Sequence, residues 1–218
     1  MDESFWHNRW QTNQTAWHER AVNPQLLKHF PALSLAKGSR VFVPLCGKSL
    51  DLGWLLSQGH AVAGAELSEL AVRQLFTGLG MDPDMSVTGN FTRYSGKQIE
   101  IFVGNIFDLS RDLLGPVDAV YDRAALVALP AEMRIRYAAH LTALTDSAPQ
   151  LLICYQYDQA AMDGPPFSIP TKELHRHYSQ NYVLTLLEGA DVPGGLKGKS
   201  PAMEQTWHLT RRTLSVAS

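Results

Sequence analysis

From residue 40 onward, short β-prone runs alternate with longer helical patterns, an order that few architectures can satisfy. Residues 40–44 (RVFVP) read as a buried strand, and 49–58 follow as a helix closed by Gly59. Residues 60–66 (HAVAGAE) form a second strand, after which Ser68 is placed to cap a helix through Phe76. The polar, glycine-bearing stretch 78–97 is read as irregular, and 99–103 as the third strand. A fourth strand spans 117–122, Pro130 opens a helix to about residue 144, and 151–157 is the fifth strand. Strands separated by helices run parallel, joined by crossovers, so the expectation is a doubly wound α/β sheet. The tail departs from this rule. Residues 182–187 and 205–210 are β-prone but separated by a Gly/Pro/Lys-rich loop with no room for a crossover helix. They predict a C-terminal antiparallel hairpin on a mostly parallel, seven-stranded sheet.

No repeat, low-complexity tract or linker interrupts the chain, which is read as one domain over 1–218: a helical N-terminal part, 1–39, and an α/β core, 40–218. Lys plus Arg total 19 against 21 Asp plus Glu, a net charge of -2. A nucleic-acid binder ordinarily carries a basic excess, so nucleic acid is not expected as a partner. The opening Met-Asp-Glu-Ser is acidic and no long apolar run follows, so neither a secretory signal nor a membrane span is expected. Two cysteines, Cys46 and Cys154, are too few for a disulfide framework and fit a reducing, cytoplasmic setting.

Ligands of doubly wound sheets bind beyond the carboxyl ends of the strands, so chemistry is sought there. After the first strand stands Pro44-Leu45-Cys46-Gly47-Lys48-Ser49. A phosphate loop needs a glycine at position 42, which is Phe, and the three-glycine dinucleotide fingerprint is missing. What remains is a tight turn in which Gly47 either lets a ligand approach the backbone or serves the turn alone. The second strand ends in Glu66, nineteen positions past Gly47, where a carboxylate can accept from ribose hydroxyls; the alternative is a solvated surface residue. After the third strand stands Gly104-Asn105-Ile106-Phe107-Asp108, where an apolar side chain can cover one face of an adenine and polar neighbours meet its edge; the alternative for Asp108 is to cap a segment over 109–114. At the fourth, Arg123 either pairs with Asp122 or binds an anionic ligand in the cleft.

Trp6, Trp10 and Trp17 fall within roughly 40° of one another on a continuous helix. They read either as a stripe packed on the sheet or as a flap of aromatic surface over a flat ligand; charged Glu3, Arg9, Glu19 and Arg20 disfavour a membrane-surface helix. Asn23-Pro24 starts a fresh helix. No histidine pattern suggests a metal site, no Gly-x-Ser-x-Gly elbow suggests a hydrolase, and both cysteines read as small buried residues.

The run Val43-Pro44-Leu45-Cys46-Gly47-Lys48-Ser49-x-Asp51, with Gly64-x-Glu66-Leu67-Ser68, Asn105-Ile106-Phe107-Asp108-Leu109, Tyr121-Asp122-Arg123-x-Ala125-Leu126-Val127-Ala128-Leu129 and Gly164-Pro165-Pro166-Phe167, resembles the thiopurine S-methyltransferases. The opening Phe5-Trp6-x-x-Arg9-Trp10, followed by Thr15-x-Trp17-His18, matches the same family, in its shorter bacterial form. The resemblance implies a class I methyltransferase fold and methyl transfer from S-adenosylmethionine to sulfur on an aromatic heterocycle. It implies Trp10, Leu45, Gly47, Glu66, Asn105, Ile106 and Arg123 as cofactor contacts, and Trp17 with Arg123 beside the acceptor. No catalytic residue is implied, because the donor's methyl is already activated and a heterocyclic thiol ionises readily; alignment and exclusion of water suffice. The N-terminal aromatic segment would cover cofactor and acceptor. A monomer, a small-molecule thiol, selenol or chalcogen acceptor, and a role in selenium or tellurium detoxification are family expectations. Two rivals stay open: a nicotinamide-dependent oxidoreductase, which shares the logic of Glu66, and a non-catalytic nucleoside-binding module.

Overall fold

A computed structural model of the chain describes residues 3–213; Met1, Asp2 and the tail from 214 lie outside the described residues. The parallel core consists of β1 (Arg40–Pro44), β2 (Ala61–Glu66), β5 (Ile99–Val103), β6 (Ala119–Arg123) and β7 (Gln150–Tyr157). Pairs β1–β2, β1–β6, β2–β5 and β6–β7 all run parallel. Helices α3 (Leu50–Ser57), α4 (Glu69–Leu79), α5 (Arg111–Leu114) and α6 (Ala131–Leu144) lie between successive strands. Ser49, Ser68 and Ser110 cap the first three by accepting backbone N–H bonds, which satisfies amides that the first helical turn leaves open. Pro130 sits one residue outside α6, at its cap, rather than inside it.

Among the described residues the sheet has nine strands in the order β3-β4-β5-β2-β1-β6-β7-β9-β8. The seven expected strands are present, with two more inside the stretch read as irregular. β3 (Asp84–Thr88) and β4 (Phe91–Gly96) form a hairpin that adds antiparallel to β5. β3 is exposed at every position, and in β4 only Phe91 and Tyr94 are buried. An edge hairpin with so little buried surface lacks the apolar alternation by which a strand is recognised. At the other edge, β8 (Tyr182–Asp191) and β9 (Ala202–Arg211) pair antiparallel, and β9 docks antiparallel on β7. The C-terminal hairpin therefore stands as expected, each strand several residues longer.

Both faces of the sheet are covered. Phe42, Val120, Leu152 and Tyr137 belong to one buried cluster; Val41, Val43, Val62, Leu55 and Ile153 belong to the other. Successive side chains of a strand point to opposite faces, so alternate residues of β1 feed the two cores. Gly64 has no room for a side chain. An added Cβ would lie 2.7 Å from Ile101 Cδ1 and 2.9 Å from Cys46 Sγ.

The N-terminal part is helical, but not as one helix. α1 (Glu3–Gln11) ends before Trp17, and α2 (Pro24–His29) starts afresh, with the Asn23 side chain accepting from Gln25 and Leu26 N–H. The three tryptophans nevertheless converge: Trp17 packs edge-on against Trp6 (5.4 Å between ring centroids) and Trp10 (5.7 Å). The chain folds back after α1, so the contact is tertiary rather than helical. Asp51, almost wholly buried, ties this region to the core, accepting from the Asn23 N–H (2.8 Å) and the Tyr121 hydroxyl (2.9 Å).

Candidate active site

β1 stands where the order of the sheet reverses, with β2 on one side and β6 on the other, the place where doubly wound sheets hold ligands. A cavity of about 710 Å³ opens there, within the range of roughly 300–1,000 Å³ usual for small-molecule sites. It runs along the carboxyl ends of β1, β2, β5, β6 and β7, and α1 with the segment after it forms its outer wall.

Of the residues expected in a site, Leu45, Glu66, Asn105, Ile106, Arg123 and Trp17 line this cavity. Trp10 and Gly47 do not; they pack on each other just behind the wall. An added Cβ on Gly47 would meet the Trp10 ring at 3.1 Å, and the Gly47 backbone is in the left-handed region (φ 53°). Both demands are met at low cost only by glycine. Leu45 also has positive φ (47°), so the turn after β1 bends sharply at two nearby residues.

Glu66 fastens this turn. One carboxylate oxygen accepts the Gly47 N–H and the other the Ser68 N–H, each at 2.8 Å. Burial pushes its carboxyl above the ordinary value, and the N–H bonds from Ser68, Gly47 and Leu67 pull the other way. A carboxylate offers about four acceptor positions, so at least one remains for a ligand. Asn105 caps the turn Ile106–Asp108 through the Phe107 N–H (2.9 Å), and its amide donates to Glu3 at 2.7 Å. That bond joins α1 to the far side of the cavity. Asp108 ends this turn and caps nothing; Ser110 is the cap of α5.

Arg123 does not pair with Asp122. The guanidinium forms an ion pair with Glu19 and donates to the Trp17 carbonyl (3.3 Å). Burial opposes its charge, but Glu19, Tyr121 and Asp51 outweigh burial and raise its pKa. Asp122 turns to the opposite core, where it accepts from the Leu126 N–H (3.2 Å) and the Tyr137 hydroxyl (2.7 Å). Adjacent strand residues point to opposite faces, which is why the two cannot pair. Burial lifts the Asp122 carboxyl to about 6.

Sequence reading missed Trp6, Glu19, Phe107, Tyr155 and Lys197, all of which line the cavity. Phe107 lay within a motif already singled out, and Trp6 in the aromatic stripe. Glu19, Tyr155 and Lys197 carried no local signal. Glu19 is recruited by Arg123, 104 positions away, and Lys197 reaches back to donate to the Pro165 carbonyl (2.5 Å).

The parallel core, the ligand crevice and the antiparallel C-terminal strands together have the architecture of the class I S-adenosylmethionine-dependent methyltransferases. Comparison with known proteins agrees. The chain superposes on 1,6-didemethyltoxoflavin-N1-methyltransferase of Burkholderia thailandensis with a TM-score of 0.64 at 17% identity, covering 95% of this chain and 87% of that one. It matches the magnesium protoporphyrin IX methyltransferase of Synechocystis with a TM-score of 0.62 at 13% identity, covering 96% and 100%. The model of the thiopurine S-methyltransferase family matches residues 1–212. The thiopurine S-methyltransferase of Xanthobacter autotrophicus is 56% identical over 97% of this chain and 100% of its own length. That of Teredinibacter turnerae is 52% identical over 97% and 98%. This chain belongs to the thiopurine S-methyltransferase family, and its cofactor is S-adenosylmethionine. The residues present suit that molecule: a buried carboxylate with an acceptor position to spare, an apolar stretch at Ile106, and a guanidinium held in place beyond it.

Proposed function

We propose that this enzyme methylates the sulfur of an aromatic or heterocyclic thiol, with Glu66 on the ribose hydroxyls of the donor and Asn105 and Ile106 at its adenine. Arg123, released in part from Glu19, takes the donor carboxylate or an anionic edge of the acceptor. Leu45 and the turn it belongs to border the methionyl part, and Trp10 and Gly47 hold that turn from behind rather than touching the donor. Trp17 and Trp6 lie against the flat face of the acceptor. The observation that carries this reading is the wall of the cavity opposite the strand ends: the edge-packed Trp6 and Trp17 together with the Glu19–Arg123 pair. Flat rings prefer edge and offset contacts with aromatic side chains, and a paired guanidinium can exchange one anion for another.

The bound donor supplies a methyl group on a positively charged sulfur. The chain's own contribution is alignment and dryness. The strand ends fix the donor-binding groups, while α1 and the loop to α2 exclude water from the line between the two sulfurs. Residues 1–39 thus act as a cover on one domain, working as a monomer in the cytoplasm on a small molecule rather than nucleic acid. Selenols and other chalcogen acceptors fit the same polarizable, aromatic wall. The test is transfer of labelled methyl to a panel of thiophenols, thiopurines, selenols and tellurium compounds, beside calorimetric titration with S-adenosylmethionine. Methylation of aromatic thiols above aliphatic ones is expected; donor binding with no thiol turned over would defeat the reading.

A further inference from the structure

Two groups that face each other on β7 and β9 have no part in the alignment just described. Tyr155 lies on β7 and lines the cavity, two residues beyond Ile153, the register partner of Arg123 on β6. Directly opposite Tyr155 on β9 stands Glu204, so the two side chains lie on the same side of the ladder, the carboxylate beside the phenol. Glu204 is half-buried and does not line the cavity, so it is one step further from the reacting atoms, towards solvent.

We infer that Tyr155 and Glu204 form a proton exit for the acceptor: the phenol oxygen takes the proton of the acceptor S–H as the phenol passes its own proton to Glu204. This rests on the thiol reading above. As that S–H bond breaks, its electron pair stays on the acceptor sulfur, which bonds to the methyl carbon while the pair of the departing carbon–sulfur bond returns to the donor sulfur. Tyr155 is neutral before and after. Glu204 gains one proton and returns it to water. The relay matters for acceptors whose thiols are still protonated at working pH and is idle for those already ionised.

The surroundings suit the two roles. Burial holds the Tyr155 phenol in its neutral form, with Glu204 adding to that effect, so it hands a proton on and does not lose one. Burial also raises the Glu204 carboxyl, with Glu19 and Glu188 acting in the same direction and Tyr155 and Arg123 against it. Those neighbours come from the N-terminal segment, β8, β7 and β6, and two are already engaged. Glu19 is held by Arg123, and Glu188 by Lys28 and His29. Glu204 is then the carboxylate opposite Tyr155 that, among the described residues, is not held by a cation.

Tyr155→Phe and Glu204→Gln separate this from a structural role, with phenylmethanethiol as the protonated acceptor and 4-nitrothiophenol as the ionised one. In both variants turnover of phenylmethanethiol near neutral pH is expected to fall about 100-fold, the usual scale of a lost proton-transfer partner. Turnover of 4-nitrothiophenol and calorimetric affinity for S-adenosylmethionine should stay close to those of the unsubstituted enzyme. A second readout needs no methyl transfer. Without donor, the ultraviolet thiolate absorbance of bound thiophenol should appear at lower pH than in solution, and both variants should lose that displacement. Equal losses on both thiols, or unchanged turnover of phenylmethanethiol, would overturn the relay while leaving the thiol reading intact. If the unsubstituted enzyme binds donor but methylates neither thiol, the thiol reading fails and takes the relay with it.

Discussion

At the scale of single residues, Glu66 does two things that compete. It holds the Gly47 and Ser68 amides, which shapes the turn after β1, and in the proposed reading it also accepts from the ribose. Glu66→Ala is therefore expected to weaken S-adenosylmethionine binding by about 1.5–3 kcal/mol, the range for a lost charge-assisted hydrogen bond. Calorimetry measures this, and an unchanged affinity would remove Glu66 from the site. Asp122 makes a pH prediction. Its carboxyl sits at about 6 in the fold against 3.8 for the ordinary group, so the folded state binds this proton more tightly than the unfolded one. The stability it contributes is complete below about pH 4 and is lost as pH rises through about 6. That amounts to about 3 kcal/mol across the window. Urea midpoints from pH 4 to 7 should show this component in the native chain, and Asp122→Asn should flatten it. An identical pH dependence in the two would argue against a raised Asp122. The position of Glu66 was legible in the sequence, because a strand tip nineteen residues after a turn glycine is a local pattern. The partner of Arg123 was not. Which face a strand residue occupies depends on the register of the sheet, and that register put Asp122 in one core and Arg123 in the cleft.

At the scale of elements, the ties that hold α1 include the aromatic contacts of Trp6, Trp10 and Trp17, the packing of Trp10 on Gly47, and the Glu3–Asn105 hydrogen bond. Nine residues are too few to be helical alone in water, so α1 owes its form to that docking. Deleting residues 1–20 is expected to raise the dissociation constant for S-adenosylmethionine by about tenfold or more, equivalent to 1.4 kcal/mol, and to suppress methyl transfer. Full activity in the truncated chain would deny the segment any role as a cover. The opposite edge of the sheet makes a contrasting case. Val87 on β3 is 79% exposed, so Val87→Lys should change stability by no more than about 0.5 kcal/mol. A larger change on chemical denaturation would mean that β3 is buried against something in solution. Capped, amphipathic helices and the buried parallel strands were readable because their signals are local and periodic. The β3–β4 hairpin was not, since an exposed edge strand is held by backbone pairing to β5 and carries little apolar pattern.

At the scale of the whole molecule, the two cores lie on opposite faces of one sheet and share every central strand, while Asp51 fastens the N-terminal part to that sheet. Such a body is expected to unfold in one cooperative transition. Because the cavity is lined by both the strand ends and the N-terminal segment, a ligand held in it should stabilise all of it. At 100 times the dissociation constant the gain is about 2.7 kcal/mol. For a chain of this size that raises Tm by roughly 5–10 °C. Calorimetric scans with and without S-adenosylhomocysteine would show it; two transitions, only one of them moved by ligand, would mean that cover and core are separate units.

The sequence by itself determined the α/β alternation, the turn at Gly47, the carboxylate at Glu66, the antiparallel tail and, through its combined motifs, the family. Each of these is written in neighbouring residues, where hydrophobic period, capping and turn chemistry act over a few positions. Only the tertiary structure decided that Trp17 meets Trp6 and Trp10 by folding back, that Glu19 pairs with Arg123, and that Tyr155 faces Glu204 across a ladder. Those contacts join residues far apart in the chain, and their geometry follows from strand register and from the path of the loops, which no local pattern encodes.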